Sequence, residues 1–140
     1  MKIMVFIEGT TFHTKPLLFL FSKYGYKPIG SAIKIINSWY DKGYEIYLCS
    51  YVRKTRRNFI KSILDFYGIK YTDILCRRKG EQYHEIVEQL RPDILIEDDC
   101  RSIGGQKNWC ITKVKDDVKK NIKSIIVPEF SGIDNVEITL

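Results

Sequence analysis

The apolar positions fall into short continuous runs separated by segments of helical spacing. The first run, Ile3-Met4-Val5-Phe6-Ile7, is unbroken, the pattern of a strand buried on both faces at the centre of a parallel sheet. It stops at Glu8-Gly9-Thr10-Thr11. Pro28 then prepares a helix over about 29–41, with Ile29, Ala32, Ile33, Ile36 and Tyr40 on one face and Gly43 ending it. Tyr44 to Cys49 is a second strand, ending on Ser50. A long helix to about Tyr67 follows, with Phe59, Ile60, Ile63, Leu64 and Tyr67 in one stripe. Tyr71 to Leu75 is a third strand, running into Cys76-Arg77-Arg78-Lys79-Gly80. Glu81 to Leu90 has helical spacing and is broken by Arg91-Pro92. Asp93 to Ile96 is a fourth strand, ending in Glu97-Asp98-Asp99, and Ile122 to Val127 a fifth, stopped by Pro128. This alternation predicts the α/β class: a three-layer, Rossmann-like parallel sheet of five strands with helices on both faces.

One stretch fits neither period. His13 to Lys27 is rich in aromatics and leucine, and 11–28 is expected to form a short flap or lid, being too short for a cap domain. Leu17 to Phe21, apolar throughout, is expected to be covered or to lie at a homodimer contact.

Composition narrows the class. The chain has 140 residues, 44% hydrophobic and 29% charged, which suits one soluble globular domain. Its longest apolar runs, Ile3 to Ile7 and Leu17 to Phe21, are far too short to cross a bilayer. Met1-Lys2 leads straight into the first strand without a secretory h-region, so a cytoplasmic protein without a membrane partner is expected. Cys49, Cys76, Cys100 and Cys110 show no CxxC pair and no zinc spacing, which favours reduced, mostly buried thiols. The net charge of +6 suits an anionic ligand and is also small enough to serve solubility alone.

The strand ends carry the candidate chemistry. In a parallel sheet they all emerge at one edge, where open α/β sheets bind their ligands. Here they bring Glu8, Gly9 and Thr10, then Ser50, Lys79, and Asp98 with Asp99. Serine and lysine can hold a phosphoryl group, and paired carboxylates can hold magnesium, which takes oxygen ligands. Glu97, Asp98 and Asp99 repel one another unless a cation or a helix N-terminus neutralises them.

That order resembles the haloacid dehalogenase superfamily, whose first motif is a strand followed by Asp-x-Asp-Gly-Thr. Its later motifs are a Ser or Thr ending strand two, a Lys, and an acidic pair ending a later strand. Lys27-Pro28-Ile29-Gly30, Leu48-Cys49-Ser50 and Ile94-Leu95-Ile96-Glu97-Asp98-Asp99 look most like its small, capless, deoxyribonucleotidase-type branch. The resemblance implies a central first strand flanked by those starting near Tyr44 and Asp93. It implies phosphate binding by Gly9, Thr10, Ser50 and Lys79, and Mg²⁺ binding by Glu8, Asp98 and Asp99. The ligand it implies is a phosphorylated small molecule or nucleotide.

The first motif departs from the family. Aligned on Gly9-Thr10, Phe6 stands where the family has its nucleophilic aspartate, and Glu8 stands at the acid/base position. Phenylalanine can neither attack phosphorus nor bind a metal. A pseudoenzyme or binding protein is therefore expected, with weak Mg²⁺ affinity. The alternative is an active nucleotidase-like phosphatase in which catalytic Glu8 works with a metal-bound water. The basic segments 53–57 and 77–79 read either as a solvated helix start and loop or as a nucleic-acid contact.

Overall fold

The five apolar runs form one parallel sheet, seen in a computed structural model that describes residues 1–15 and 25–139. Its strands are β1 (Lys2–Phe6), β4 (Glu45–Ser50), β5 (Asp73–Cys76), β6 (Ile94–Asp98) and β7 (Lys123–Val127), in the spatial order β5-β4-β1-β6-β7. β1 is central, as its double-sided apolar run predicts. Ile3 lies opposite Ile46 of β4 on one side and Ile94 of β6 on the other.

The two faces of the sheet bury separate clusters. Ile3, Val5 and Ile7 face α1 (Ala32–Asp41) and α2 (Arg57–Phe66), where Ile36, Trp39, Ile60 and Leu64 meet them. Met4 faces the other way, toward Ile86 and Val87 of α3 (Tyr83–Leu90) and Val118 of α4 (Asp116–Lys119). Period-two alternation along β1 thus feeds two cores. Each fully buried Ile or Leu contributes about 1.5–3 kcal/mol.

The first helix starts three residues later than its apolar spacing predicts. Ile29 donates its N–H to the Thr11 carbonyl at 3.0 Å, and Ser31 donates to the Asp134 carboxylate at 3.0 Å. Gly30 between them, at φ +53°, lies outside the helical region, so the helix begins only after it. Pro28 belongs instead to β3 (Tyr26–Pro28), which pairs antiparallel with β2 (Phe12–Thr14). Phe12 and Tyr26 are buried, so this two-stranded ladder is anchored in the core. Residues 16–24, and with them the dimer contact expected at 17–21, lie outside the described residues.

Residues 101–113, between β6 and β7, wind into short 3-10 turns over Arg101–Ile103, Gly105–Asn108 and Cys110–Lys113. Cys49, Cys76 and Cys110 are buried free thiols, and Cys100 is partly exposed. No helix among the described residues is long and apolar enough to cross a membrane.

Candidate functional site

β1 leaves the sheet at Glu8, and the chain folds back at once. Thr11 and Phe12 both donate their N–H to the Ile7 carbonyl, at 3.0 and 2.9 Å. Gly9 adopts φ +85°, and a Cβ there would lie 2.7 Å from Asp98 Oδ2. Only glycine lets this turn press against the end of β6. Thr10 is fully buried and donates its hydroxyl to Asp98 Oδ2 at 3.1 Å. Thr11 donates its own to the Phe6 carbonyl at 2.7 Å.

Glu8 is directed away from Asp98. Its Oε2 accepts hydrogen bonds from Ser50 Oγ at 2.9 Å and from the Tyr26 hydroxyl at 3.1 Å, and its Oε1 accepts from the Tyr51 N–H. Burial raises its pKa, and the three donors partly offset that. The carboxylate ties together the end of β1, the end of β4 and the base of the β2–β3 ladder. Ser50 is itself fully buried, and its oxygen also accepts the Val52 N–H at 3.1 Å.

A different carboxylate joins the acidic pair. Oxygens of Asp98, Asp99 and Glu129 all lie within 4.8 Å of one another. Asp98 accepts from the Cys100 N–H at 2.8 Å, and Asp99 from the Glu129 N–H at 3.1 Å. Glu129 accepts at 2.7 Å from both the N–H and the hydroxyl of Ser102. Burial raises the Asp98 pKa, opposed by the Cys100 N–H and the Thr10 hydroxyl. Glu129 was missing from the sequence-derived set. The available signal was a carboxylate two residues past the end of the fifth strand, on the same sheet edge.

Glu97 is 4% exposed and takes the N–H groups of Cys110 and Ile111 at 2.7 and 3.0 Å. Burial pushes its pKa up to about 7, partly offset by those two bonds. The repulsion expected among residues 97–99 is thus met by backbone donors at each carboxylate.

These elements border a pocket of about 490 Å³ with aromatic walls from Phe6, Tyr51, Tyr83 and Phe130, and with Glu8 and Asp98 among its polar groups. The Phe6 ring meets Tyr83 edge to face at 5.2 Å. Phe130 holds φ +62°, a costly conformation for a residue with a Cβ, and its N–H bonds the Gly9 carbonyl at 2.9 Å. Lys79 is exposed and does not line this pocket. The cation beside it is Arg77, whose guanidinium carbon lies 4.3 Å from the Tyr83 centroid and 5.8 Å from that of Tyr51. The structure therefore brings together Phe6, Glu8, Gly9 and Asp98 at one pocket, sets Thr10 and Ser50 behind them, and leaves Lys79 outside.

No protein-family model matches the chain, and no curated protein matches it. Solved structures do. A chain of the Pnkp1/Rnl/Hen1 RNA repair complex aligns over 91% of this chain with a TM-score of 0.64 and 13% identity. This chain spans 43% of that one and 47% of a second from the same complex, less than half of either. The class C acid phosphatase from Bacillus anthracis with tungstate bound aligns over 93% of this chain and 67% of its own, with a TM-score of 0.62 and 16% identity. The D,D-heptose 1,7-bisphosphate phosphatase from B. bronchiseptica, complexed with magnesium and phosphate, aligns over 93% of both chains, with a TM-score of 0.55 and 11% identity. At these identities the likeness concerns the backbone: the chain has a Rossmann-like α/β fold with a five-stranded parallel sheet, the fold it shares with the two phosphatases.

Proposed function

We propose that this chain is a binding protein built on a phosphatase fold, which holds a phosphorylated small molecule or nucleotide together with Mg²⁺ and does not form a phosphoenzyme. The observation that carries this reading is the packing of Phe6. At the position where the resemblance places a nucleophilic carboxylate, an aromatic ring lies edge to face on Tyr83 and forms part of the pocket wall. Glu8 does not replace that carboxylate, because its oxygens are engaged by Ser50, Tyr26 and Tyr51.

The residues present suit a hard cation. Asp98, Asp99 and Glu129 offer carboxylate oxygens only, the donor type Mg²⁺ prefers. Mg²⁺ would supply positive charge at a pocket whose own carboxylates repel a phosphate. Asp98 is the ligand closest to the β1 turn, and Thr10 and the Cys100 N–H orient it. Gly9 and Thr10 contribute by shaping that turn. Ser50 is turned to Glu8, and neither Lys79 nor Arg77 lines the pocket, but Arg77 packs against two rings that do, Tyr83 and Tyr51, and is the cation we assign to a phosphoryl group at the rim.

Calorimetric titration of Mg²⁺ into wild type and Asp98→Asn tests the site. The variant should bind at least tenfold more weakly, since it loses one anionic ligand while keeping the shape of the side chain. Equal binding by the two proteins would sink the proposal.

One observation favours a second reading, an active phosphohydrolase. Glu8 lines the pocket and has a raised pKa, as a general base requires. An aryl-phosphate assay separates the two. The binding-protein reading expects negligible turnover, whereas turnover lost in Glu8→Gln would establish Glu8 as a base toward water.

A further inference from the structure

The two basic segments, separate in sequence, meet at the same edge of the sheet. The Lys54 N–H donates to the Arg77 carbonyl at 2.9 Å. That bond sets Arg53, Lys54, Arg56 and Arg57 beside Arg77, Arg78 and Lys79 as one cationic strip. Acidic neighbours neutralise little of it. Asp73 pairs with Arg57 at 2.7 Å, and Glu81 accepts the Arg78 backbone N–H at 2.9 Å. Arg53, Lys54, Arg78 and Lys79 are exposed and form no ion pair among the described residues. Lys54, Arg57 and Arg78, joined by Lys2, line a groove of about 410 Å³ alongside β5 and α3. So many like charges held together repel one another and lower stability unless a polyanion compensates them.

Aromatic rings are interleaved with these cations. Tyr51, 52% exposed, lies between the strip and the pocket mouth, and the Arg77 guanidinium is near both Tyr51 and Tyr83. Arg77 Nε is buried with no hydrogen-bond partner, so a donor has been withdrawn from water without an acceptor. Cations that follow a phosphate backbone, with exposed rings on which bases can stack, are the features of single-strand binding surfaces. An acidic peptide or an anionic membrane would use the charges and leave the rings without a role.

We propose that the strip formed by residues 53–57 and 77–79, together with Tyr51, binds single-stranded nucleic acid, with phosphates on the cations and an unpaired base against Tyr51 at the pocket mouth. This surface is separate from the Asp98 cluster. Titrations in EDTA test it without Mg²⁺, so either proposal can fail while the other stands.

The experiment is fluorescence anisotropy with labelled single-stranded 12-mers of DNA and RNA, in EDTA, at several salt concentrations. Wild type should bind, and log K should fall with log salt with a slope of about −3 for four phosphate contacts. Lys54→Glu combined with Arg78→Glu should weaken binding at least tenfold and flatten the slope. Lys54→Gln combined with Arg78→Gln should do the same to a smaller degree, and serves if the charge reversal misfolds. Tyr51→Ala should weaken binding about tenfold and leave the slope unchanged, because stacking releases no counterions. Absence of binding at low salt, or wild-type affinity in both charge variants, would overturn the proposal. Tighter binding to duplex DNA, heparin or phosphatidylserine vesicles than to the single strands would overturn it too.

Discussion

Phe6→Asp is expected to lower the melting temperature by about 10 °C in EDTA and to recover much of that loss in Mg²⁺. The ring is partly buried against Tyr83 and the cluster on the α3 side of the sheet. Deleting a packed phenylalanine costs about 3 kcal/mol or more, and a domain of this size loses about 3–4 °C per kcal/mol. The introduced carboxylate also joins a pocket that already contains Glu8, Glu97, Asp98 and Glu129, which raises the cost further. A cation beside Asp98 reverses that term. At a concentration 100-fold above its Kd, a ligand that binds only the folded state stabilises it by about 2.7 kcal/mol. Thermal melts of wild type and variant, with and without Mg²⁺, provide the measurement. A variant that folds and shows no larger Mg²⁺ response than wild type would mean that position 6 does not face the cation. Adding Glu8→Asp, to reproduce the family's first motif fully, is expected to destabilise the protein further. A carboxylate shorter by one methylene cannot reach Ser50, Tyr26 and the Tyr51 N–H together.

Stability is also expected to fall as pH rises from about 4.5 to 7, with Glu97 one identifiable source. In the folded protein burial raises this carboxyl from 4.5 to about 7. Between those values the folded state binds a proton that the unfolded chain releases. Stability therefore decreases through that window, and this group adds no further change above about pH 7. Moving a carboxyl by this much is worth at most about 3 kcal/mol. Burial raises Glu8 and Asp98 in the same direction, so their contributions carry the same sign. Denaturant unfolding of wild type and Glu97→Gln at pH 5 and pH 7.5 isolates the Glu97 share. The variant should show a clearly smaller difference between the two pH values. Its absolute stability should drop at pH 5, because the amide nitrogen cannot accept the N–H of Cys110 or Ile111 in place of an oxygen. An unchanged pH difference would assign the effect elsewhere.

The strands and the central place of the first were legible because they depend on short-range periodicity, whereas the strands flanking it were expected from the resemblance alone. Five apolar residues in succession at 3–7 can be buried only between two layers, and β1 is the central strand. Helix ends were legible where the local chain decides them, as at Arg91, whose left-handed conformation at φ 52° closes α3 before Pro92. They were misread where a distant group intervenes. Nothing near residue 29 shows that Thr11 and Asp134 take the N–H groups of Ile29 and Ser31. The same applies to the 3-10 turn at Cys110–Lys113, whose first N–H groups are held by Glu97, more than a dozen residues earlier.

At the site, sequence alone determined which residue types reach the C-terminal edge of the sheet, and its resemblance to a known motif set Phe6 where a carboxylate is expected. Tertiary structure decided what each of them faces. It turned Glu8 toward Ser50, Tyr26 and Tyr51, brought Glu129 to Asp98 and Asp99, and set Arg77 beside the pocket with Lys79 in solvent. The physical reason is the range of the forces involved. Periodicity and turn chemistry act over a few residues, whereas a buried carboxylate takes whichever donors the packing of distant strands brings within about 3 Å.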